Sequence, residues 1–237
     1  MTRSRLLLAL TVAGSCALSA QSKPAAPAKP LTTTDLALAY ARAMPFKTFL
    51  ATDTTKAALW AAAQERTAAS VAVVVKDTPP PAGVWRLLVV AENSCSDALA
   101  SLPYIARLVD QLPGSELRII RKADAQPLID AHLFRGRSAT PLVIVLDSAF
   151  RERGVWIERA SHIQQYVTDN EKSMPDDSIW AHVRVMRKDD DGRTPLREVI
   201  AIMRDAKAAP VKAKKAAKPA VEPPKPSRKV VEPCKVP

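Results

Sequence analysis

Short apolar runs that alternate with helical patterns constrain the fold of this 237-residue chain more than any other feature. The runs are rich in Val, Ile and Leu, as is typical of buried strands. Strands are predicted at 84–91, 116–120, 141–147 and 153–158. Helices are predicted at 95–112, 125–134 and 160–167. The order β-α-β-α-β-β-α predicts a parallel βαβ unit followed by a hairpin, in an α/β sheet with helices on both faces.

The flanks of this region have different compositions. Helices are predicted at 35–44, where Pro45 interrupts the pattern, and at 55–67, while 70–75 fits either a helix end or a short strand. A last helix is predicted with Thr194 as its cap. The predicted division is a signal peptide at 1–20, a linker at 21–30, an N-terminal helical extension at 31–83, a sheet domain with a C-terminal helix at 84–204, and a disordered basic Lys/Pro/Ala tail at 205–237.

The N-terminus has the order of residues that is typical of an export signal. Arg3 and Arg5 precede an apolar run over 6–14, which small residues follow. The run is too short to cross a bilayer, so we expect no transmembrane span in the mature chain. Cleavage after Ala20 would release a soluble exported protein, whereas lipidation of Cys16, in a sequence similar to a bacterial lipoprotein box, would anchor it. Both routes predict a periplasmic or envelope-associated protein.

The net charge of +11 comes from the two ends of the chain. Residues 1–30 hold four Lys or Arg and no acid, and residues 206–237 hold nine Lys or Arg and two Glu. Residues 31–205 are therefore formally neutral, whereas nucleic-acid-binding folds carry a basic patch on the folded body. We expect no specific nucleic-acid partner, and a basic tail that can bind an anionic envelope surface.

Three cysteines are present, and no pair of them forms a Cys-x-x-Cys motif. Cys95 lies where the first strand of the sheet domain meets its first helix, and Ala98 occupies the position of a second motif cysteine. Cys234 is either an incidental tail cysteine or a distant resolving thiol, since a flexible tail has ample reach. The three histidines lack metal spacing and are predicted on the surface or on helix faces, so no metal site and no cofactor are predicted.

Together these features resemble a thioredoxin-like fold, a mixed sheet flanked by helices. A strand enters a helix at Cys95, Pro103 falls inside that helix, and Thr140-Pro141 directly precedes an apolar strand. In the thioredoxin superfamily a cis-proline occupies that last position, and the resemblance covers about residues 85–167. It implies a cis Pro141 beside Cys95, with Thr140 and Pro141 binding an extended substrate segment by strand addition.

The run from Ser94 to Ala98 is similar to the Trp-Cys-Gly-Asp-Ala motif of a single-cysteine branch of that superfamily. Asp97 and Ala98 fit the motif, and Arg135–Pro141 is similar to the branch's Gly-Gly-Arg-Ser-x-Pro run with one residue inserted. Ser94 replaces the aromatic residue, which is expected to remove an apolar cover from the thiol. The resemblance implies that Cys95 is the catalytic residue, with Asp97 and Ser94 in supporting positions.

The chemistry expected of Cys95 follows from its helix terminus. Backbone donors and the helix dipole stabilise a thiolate there, whereas the Asp97 carboxylate in the same turn opposes it. Asn93 or Ser94 could cap the helix.

Two functions are therefore predicted for the chain. One is monothiol exchange with protein thiols or disulfides through Cys95, without a resolving cysteine in the motif. The alternative is a non-catalytic thioredoxin-fold module of the cell envelope that binds peptides or proteins.

Overall fold

The computed structural model describes residues 30–208, which fold into nine α-helices, one short 3-10 helix (Lys122–Asp124) and five strands. The predicted signal peptide, Cys16, nearly all of the predicted linker, Cys234 and most of the predicted tail lie outside the described residues. None of the helices in the described region combines the length and apolar character needed to cross a membrane. The strands are β1 (Met44–Pro45), β2 (Arg86–Ala91), β3 (Glu116–Arg121), β4 (Leu142–Leu146) and β5 (Glu152–Ile157). The helices are α1 (Thr33–Arg42), α2 (Phe46–Ala51), α3 (Ala57–Glu65), α4 (Thr67–Asp77), α5 (Ser96–Val109), α6 (Gln126–Ala131), α7 (Ser161–Asn170), α8 (Asp176–Asp190) and α9 (Arg193–Ala208).

The strands of the described region form one mixed sheet in the order β1-β3-β2-β4-β5. β2 and β3 are parallel, as expected for strands joined through helix α5, and the remaining pairs are antiparallel. This sheet, with helices on both faces, confirms the predicted thioredoxin-like architecture. It places the end of β2 beside the start of β4, where the predicted site residues lie.

Alternate residues of the central strands build two separate cores, because successive side chains of a strand point to opposite faces. Leu87 and Val89 belong to a buried cluster that also contains side chains of α3, α5 and α9. Leu88 and Val90 belong to a second cluster with side chains of α1 and α6. Full burial of each such side chain contributes roughly 1.5–3 kcal/mol, so both layers hold the central strands in place.

The N-terminal region differs from its prediction at two points. Pro45 does not simply interrupt a helix, since Met44 and Pro45 form an edge strand in which Met44 pairs with Ile119 of β3. A proline is tolerated there because an edge strand leaves one row of backbone groups unpaired. The ambiguous segment 70–75 is helical, because Val71 and Val74 of α4 are buried against residues of α5 and α9.

The acidic turn between α8 and α9 is held against the folded body. Asp191 adopts a left-handed conformation and accepts hydrogen bonds from the Tyr104 hydroxyl, at 2.6 Å, and from Ser70. The predicted Thr194 cap is also wrong, because α9 begins one residue earlier, at Arg193. The Asp190 carboxylate accepts the Thr194 backbone N–H at 3.1 Å and so satisfies a donor of the first helical turn.

Candidate functional site

Cys95 lies at the N-cap position of α5, four residues after the end of β2. Its backbone N–H donates to the Glu92 carbonyl oxygen at 3.1 Å, which closes the turn between strand and helix. The predicted caps are wrong, since no side chain in the described part of the chain caps this helix and the Asn93 amide instead donates to the Phe49 carbonyl oxygen at 3.0 Å. The sulfur therefore occupies the helix terminus where a capping oxygen is usual.

The predicted juxtaposition of Cys95 with Thr140-Pro141 is present, and the bond before Pro141 is cis as expected. The Cys95 thiol donates to the Thr140 carbonyl oxygen, with an Sγ–O distance of 3.4 Å. The Thr140 hydroxyl donates to Sγ at 3.7 Å. Backbone and side chain of one residue thus hold the thiol against the start of β4.

Cys95 is completely buried, with 0% of its surface exposed. The expectation that Ser94 leaves the thiol without apolar cover is therefore wrong, because Cys95 is buried within an apolar cluster that also contains Trp60 of α3. The Trp60 indole N–H donates to the Asn93 carbonyl oxygen at 3.3 Å, and the Lys56 ammonium donates to the Ser94 carbonyl oxygen at 3.1 Å. Trp60 and Cys95 belong to the same buried cluster, so the turn that carries the thiol is closed from this side.

Asp97, predicted to oppose a thiolate, is itself neutralised by two arginines. Its Oδ2 lies 3.0 Å from Nη2 of Arg159, and its Oδ1 contacts the guanidinium of Arg187 on α8. The Asp97 and Arg159 side chains are only 1% and 3% exposed. Buried charges are tolerated when they are paired in this way, and the net electrostatic effect on Cys95 is set by the whole group.

The adjacent Glu158 extends this ion-pair group to the start of β4. Its carboxylate is fully buried and contacts Arg159 at 2.6 Å and Arg137 at 2.7 Å. Its backbone N–H donates to the Pro141 carbonyl oxygen at 2.7 Å. The dipeptide Glu158-Arg159 thus contacts Asp97 of α5 and Pro141 before β4, and the thiol lies between these two elements.

Sequence reasoning missed Trp60, Glu158, Arg159 and Arg187. A signal existed for Glu158 and Arg159, because the predicted hairpin places the end of the 153–158 strand opposite Pro141. A charged pair directly after an apolar strand at that register is a candidate for the site. Arg187 gave no local signal, since its contact with Asp97 spans 90 positions in sequence.

His132, predicted on the surface or on a helix face, lies at the C-terminal end of α6 and forms a pair with Glu152 of β5. Its Nε2 lies 3.1 Å from the Glu152 carboxylate, and its Nδ1 lies 2.7 Å from the Leu128 carbonyl oxygen. Burial, the largest single influence, lowers the pKa of His132, but the hydrogen bonds to Glu152 and Leu128 outweigh it and the pKa is raised. Both ring nitrogens face acceptors, which favours the doubly protonated ring.

The His132–Glu152 pair is expected to make stability depend on pH. Because the folded-state pKa is raised above the unfolded value, the stabilising contribution is complete below about pH 6.5 and is lost as pH rises through the folded-state pKa. Urea unfolding at pH 6 and 8 should show that His132→Gln removes about 0.5–1 kcal/mol of this dependence. The exposed His162 serves as a control, and an equal effect of His162→Gln would contradict the assignment.

Comparisons with known proteins add to this geometry. The sequence profile described as thioredoxin matches residues 43–173, more than half of the chain. No curated protein matches the chain significantly. A solved protein of unknown function from Pseudomonas aeruginosa is similar, with 22% identity, a TM-score of 0.57, and coverage of 72% of this chain and 97% of that one. An HIV epitope scaffold is similar at 22% identity and a TM-score of 0.54, covering 71% and 97% of the two chains.

At this level of identity the two solved structures support the fold alone. The profile match supports membership of a family as well as the fold, because it includes β2, the Cys95 turn, the cis-proline strand and the hairpin in a single continuous segment. The chain therefore belongs to the thioredoxin family.

Proposed function

We propose that this protein is an exported thioredoxin-family protein that exchanges thiols with disulfides through the single cysteine Cys95. The observation that carries the proposal is the position of the thiol, at the N-terminus of α5 and 3.4 Å from the carbonyl oxygen of Thr140, the residue before the cis-proline. Thiolate is the attacking form in disulfide exchange, and unsatisfied helix N–H groups stabilise it.

The reaction needs two thiols in turn, because Ala98 stands where a second motif cysteine would resolve the intermediate. The Cys95 thiolate attacks one sulfur of a substrate disulfide, so that its S–S bond breaks as the mixed disulfide forms, and the leaving thiolate takes a proton from water. A separate thiol then loses its proton and attacks the mixed disulfide. This step returns the Cys95 thiolate and leaves the second thiol joined to the substrate sulfur.

Substrate can reach the fully buried sulfur only when the turn around it opens. One of the contacts that close the turn, that of Lys56 with the Ser94 carbonyl oxygen, lies at the surface. Local opening costs anywhere from near zero up to the full free energy of unfolding. We therefore propose that the exchange rate is set by opening of the 92–95 turn away from α3.

Oxidised glutathione tests this proposal as a small disulfide probe. We expect a glutathione adduct on the Cys95 peptide, formed about a hundredfold more slowly than in the urea-unfolded protein, which corresponds to about 3 kcal/mol of local opening. Lys56→Ala should accelerate the reaction severalfold, and Lys47→Ala, at an exposed site on α2, should not. Absence of the adduct in the folded protein, while the unfolded protein reacts completely, would refute exchange at Cys95.

A second candidate is a non-catalytic binding module, favoured by the complete burial of Cys95 and by Ala98. Cys95→Ser distinguishes the two functions. If thiol exchange is the function, the partners captured by crosslinking should be lost in this variant. If the protein only binds its partners, they should still be captured.

Export rests on the N-terminal pattern that begins with Arg3 and Arg5. Cell fractionation should place the protein in the envelope, and a Cys16→Ser variant should change membrane association only if Cys16 is lipidated. Deletion of residues 206–237 should reduce binding to vesicles of anionic lipid if the basic tail contacts the envelope surface. Retention of the full-length protein in the cytoplasm would contradict export.

A further inference from the structure

Five charged side chains form a connected group next to Cys95, which we call the arginine–carboxylate group. It joins Arg137, Arg159 and Arg187 to Asp97 and Glu158 through ion pairs. With all five groups charged, three positive and two negative charges leave an excess of one positive charge. A single negative charge on the neighbouring sulfur would make the set neutral.

Arg159 occupies the centre of this group. Its guanidinium donates to both carboxylates, and its side chain is 3% exposed. The third nitrogen, Nη1, is buried and has no hydrogen-bond partner among residues 30–208. Arg159, Arg187 and Asp97 line a cavity of about 20 Å³, space for about one water molecule. The pairs within the group therefore leave part of the buried cation unsatisfied.

Arg159 and the adjacent Glu158 contact the two segments that flank the thiol, which are α5 and the segment before β4. Arg159 binds Asp97, two residues beyond Cys95 in α5, and Glu158 binds the backbone of Pro141, which follows Thr140. Burial, the largest influence, lowers the pKa of Arg159, yet attraction to Asp97, Glu158 and Cys95 raises it overall. Arg159 places its positive charge beside Asp97, in the first turn of the helix that Cys95 begins, and it does so in a buried setting where charges interact strongly; this arrangement favours a negative charge on the sulfur.

We propose that Arg159 is the positioning residue of Cys95: its buried positive charge favours the thiolate, and its ion pairs hold α5 against the cis-proline strand. The inference rests on the proposed thiol exchange. It assigns to Arg159 the role of favouring the reactive thiolate of Cys95, although the Asp97 carboxylate lies in the same helical turn. Asp97 acts in the opposite direction, so that removing one charge or the other should shift thiolate formation in opposite senses.

The test is a pH titration of thiolate absorbance near 240 nm in the full-length protein. The spectrum of the same protein with Cys95→Ser is subtracted, which removes the contribution of other thiols and of tyrosine. Absorbance reports the thiolate in the folded state and does not need a reagent to reach the buried sulfur. Circular dichroism at each pH confirms that the variant is folded.

Arg159→Met is expected to raise the titration midpoint by about one pH unit or more, and Arg159→Lys should restore most of the difference. Asp97→Asn, which keeps the size and an acceptor oxygen, should lower the midpoint by a similar amount. A purely structural role of the group would lower thermal stability in all three variants and leave the midpoint unchanged. An unchanged midpoint in Arg159→Met would overturn the inference.

If Arg159→Met does not fold, Asp97→Asn and Glu158→Gln decide, because each removes one negative charge and should lower the midpoint. An unchanged midpoint in both would equally overturn the inference. Failure of the proposed function is distinguishable, since it would show as absence of the glutathione adduct in the wild-type protein. A missing adduct with the expected midpoint shifts would leave the electrostatic role of Arg159 intact.

Discussion

Replacing Gly192 by alanine is expected to lower the free energy of unfolding by about 3 kcal/mol or more. Gly192 has a φ of +70°, and a Cβ atom there would lie 2.3 Å from Cγ of Tyr104. The left-handed conformation costs an L-residue roughly 1–2 kcal/mol, and forcing an extra carbon into a packed site adds about 1–3 kcal/mol. Tyr104 cannot withdraw easily, because Cγ is close to its backbone and its hydroxyl is bonded to Asp191.

Gly136 provides a matched control for this prediction. Its φ of +77° is similar, but a Cβ atom there would meet no atom of the described residues within 4 Å. Gly136→Ala should therefore lose only the conformational contribution of roughly 1–2 kcal/mol. Urea unfolding of both variants separates the cost of the left-handed backbone conformation from the cost of steric overlap with Tyr104. Equal losses of stability would show that the contact with Tyr104 is unimportant.

The second large effect is expected for Asp97→Ala, which removes the carboxylate between Arg159 and Arg187. Breaking a buried ion pair by deleting one partner typically costs about 3–5 kcal/mol, because the other charge is left uncompensated. Here Arg159 and Arg187 each lose one ion-pair partner, and Arg159, which is almost completely buried, retains Glu158. Thermal and urea unfolding should both show a large loss of stability.

Asp110, at the other end of α5, is a control of the same residue type in the same helix. It is exposed, and an acid near a helix C-terminus gains nothing from the helix dipole. Asp110→Ala should change stability by less than about 0.5 kcal/mol. A loss in Asp97→Ala no larger than that of Asp110→Ala would mean that solvent, or movement of the arginines, compensates for the missing carboxylate.

The central sheet was predictable because its strands are specified by local composition. The runs that became β2 and β4 consist almost entirely of apolar residues, as is expected of strands covered on both faces, and β3 buries Leu117, Ile119 and Ile120 between its charged residues. Pro113-Gly114 lies between the end of α5 and the start of β3. The approach of Cys95 to Thr140 was predicted from the resemblance, and the pairing of β2 with β4 produces it.

What the sequence did not predict depends on contacts between distant segments. β1 has two residues and exists because β3 offers it an unpaired edge. The burial of Cys95 depends on α3, where Trp60 packs 33 positions before its hydrogen-bond partner Asn93. Arg187 approaches Asp97 only once α7 and α8 have packed together. No pattern within a helix or strand encodes such pairings.

The thioredoxin profile ends at residue 173, yet Val199 and Met203 of α9 are fully buried in the core beneath β2, and Trp156 of β5 donates to Glu198 of α9 at 2.7 Å. A fragment cut at the profile boundary would expose that apolar layer to water and lose Arg187 as well. The autonomous folding unit is thus longer than the conventional domain border suggests. Chimeras or expression fragments should keep the polypeptide through Ala208 if they are to remain well folded.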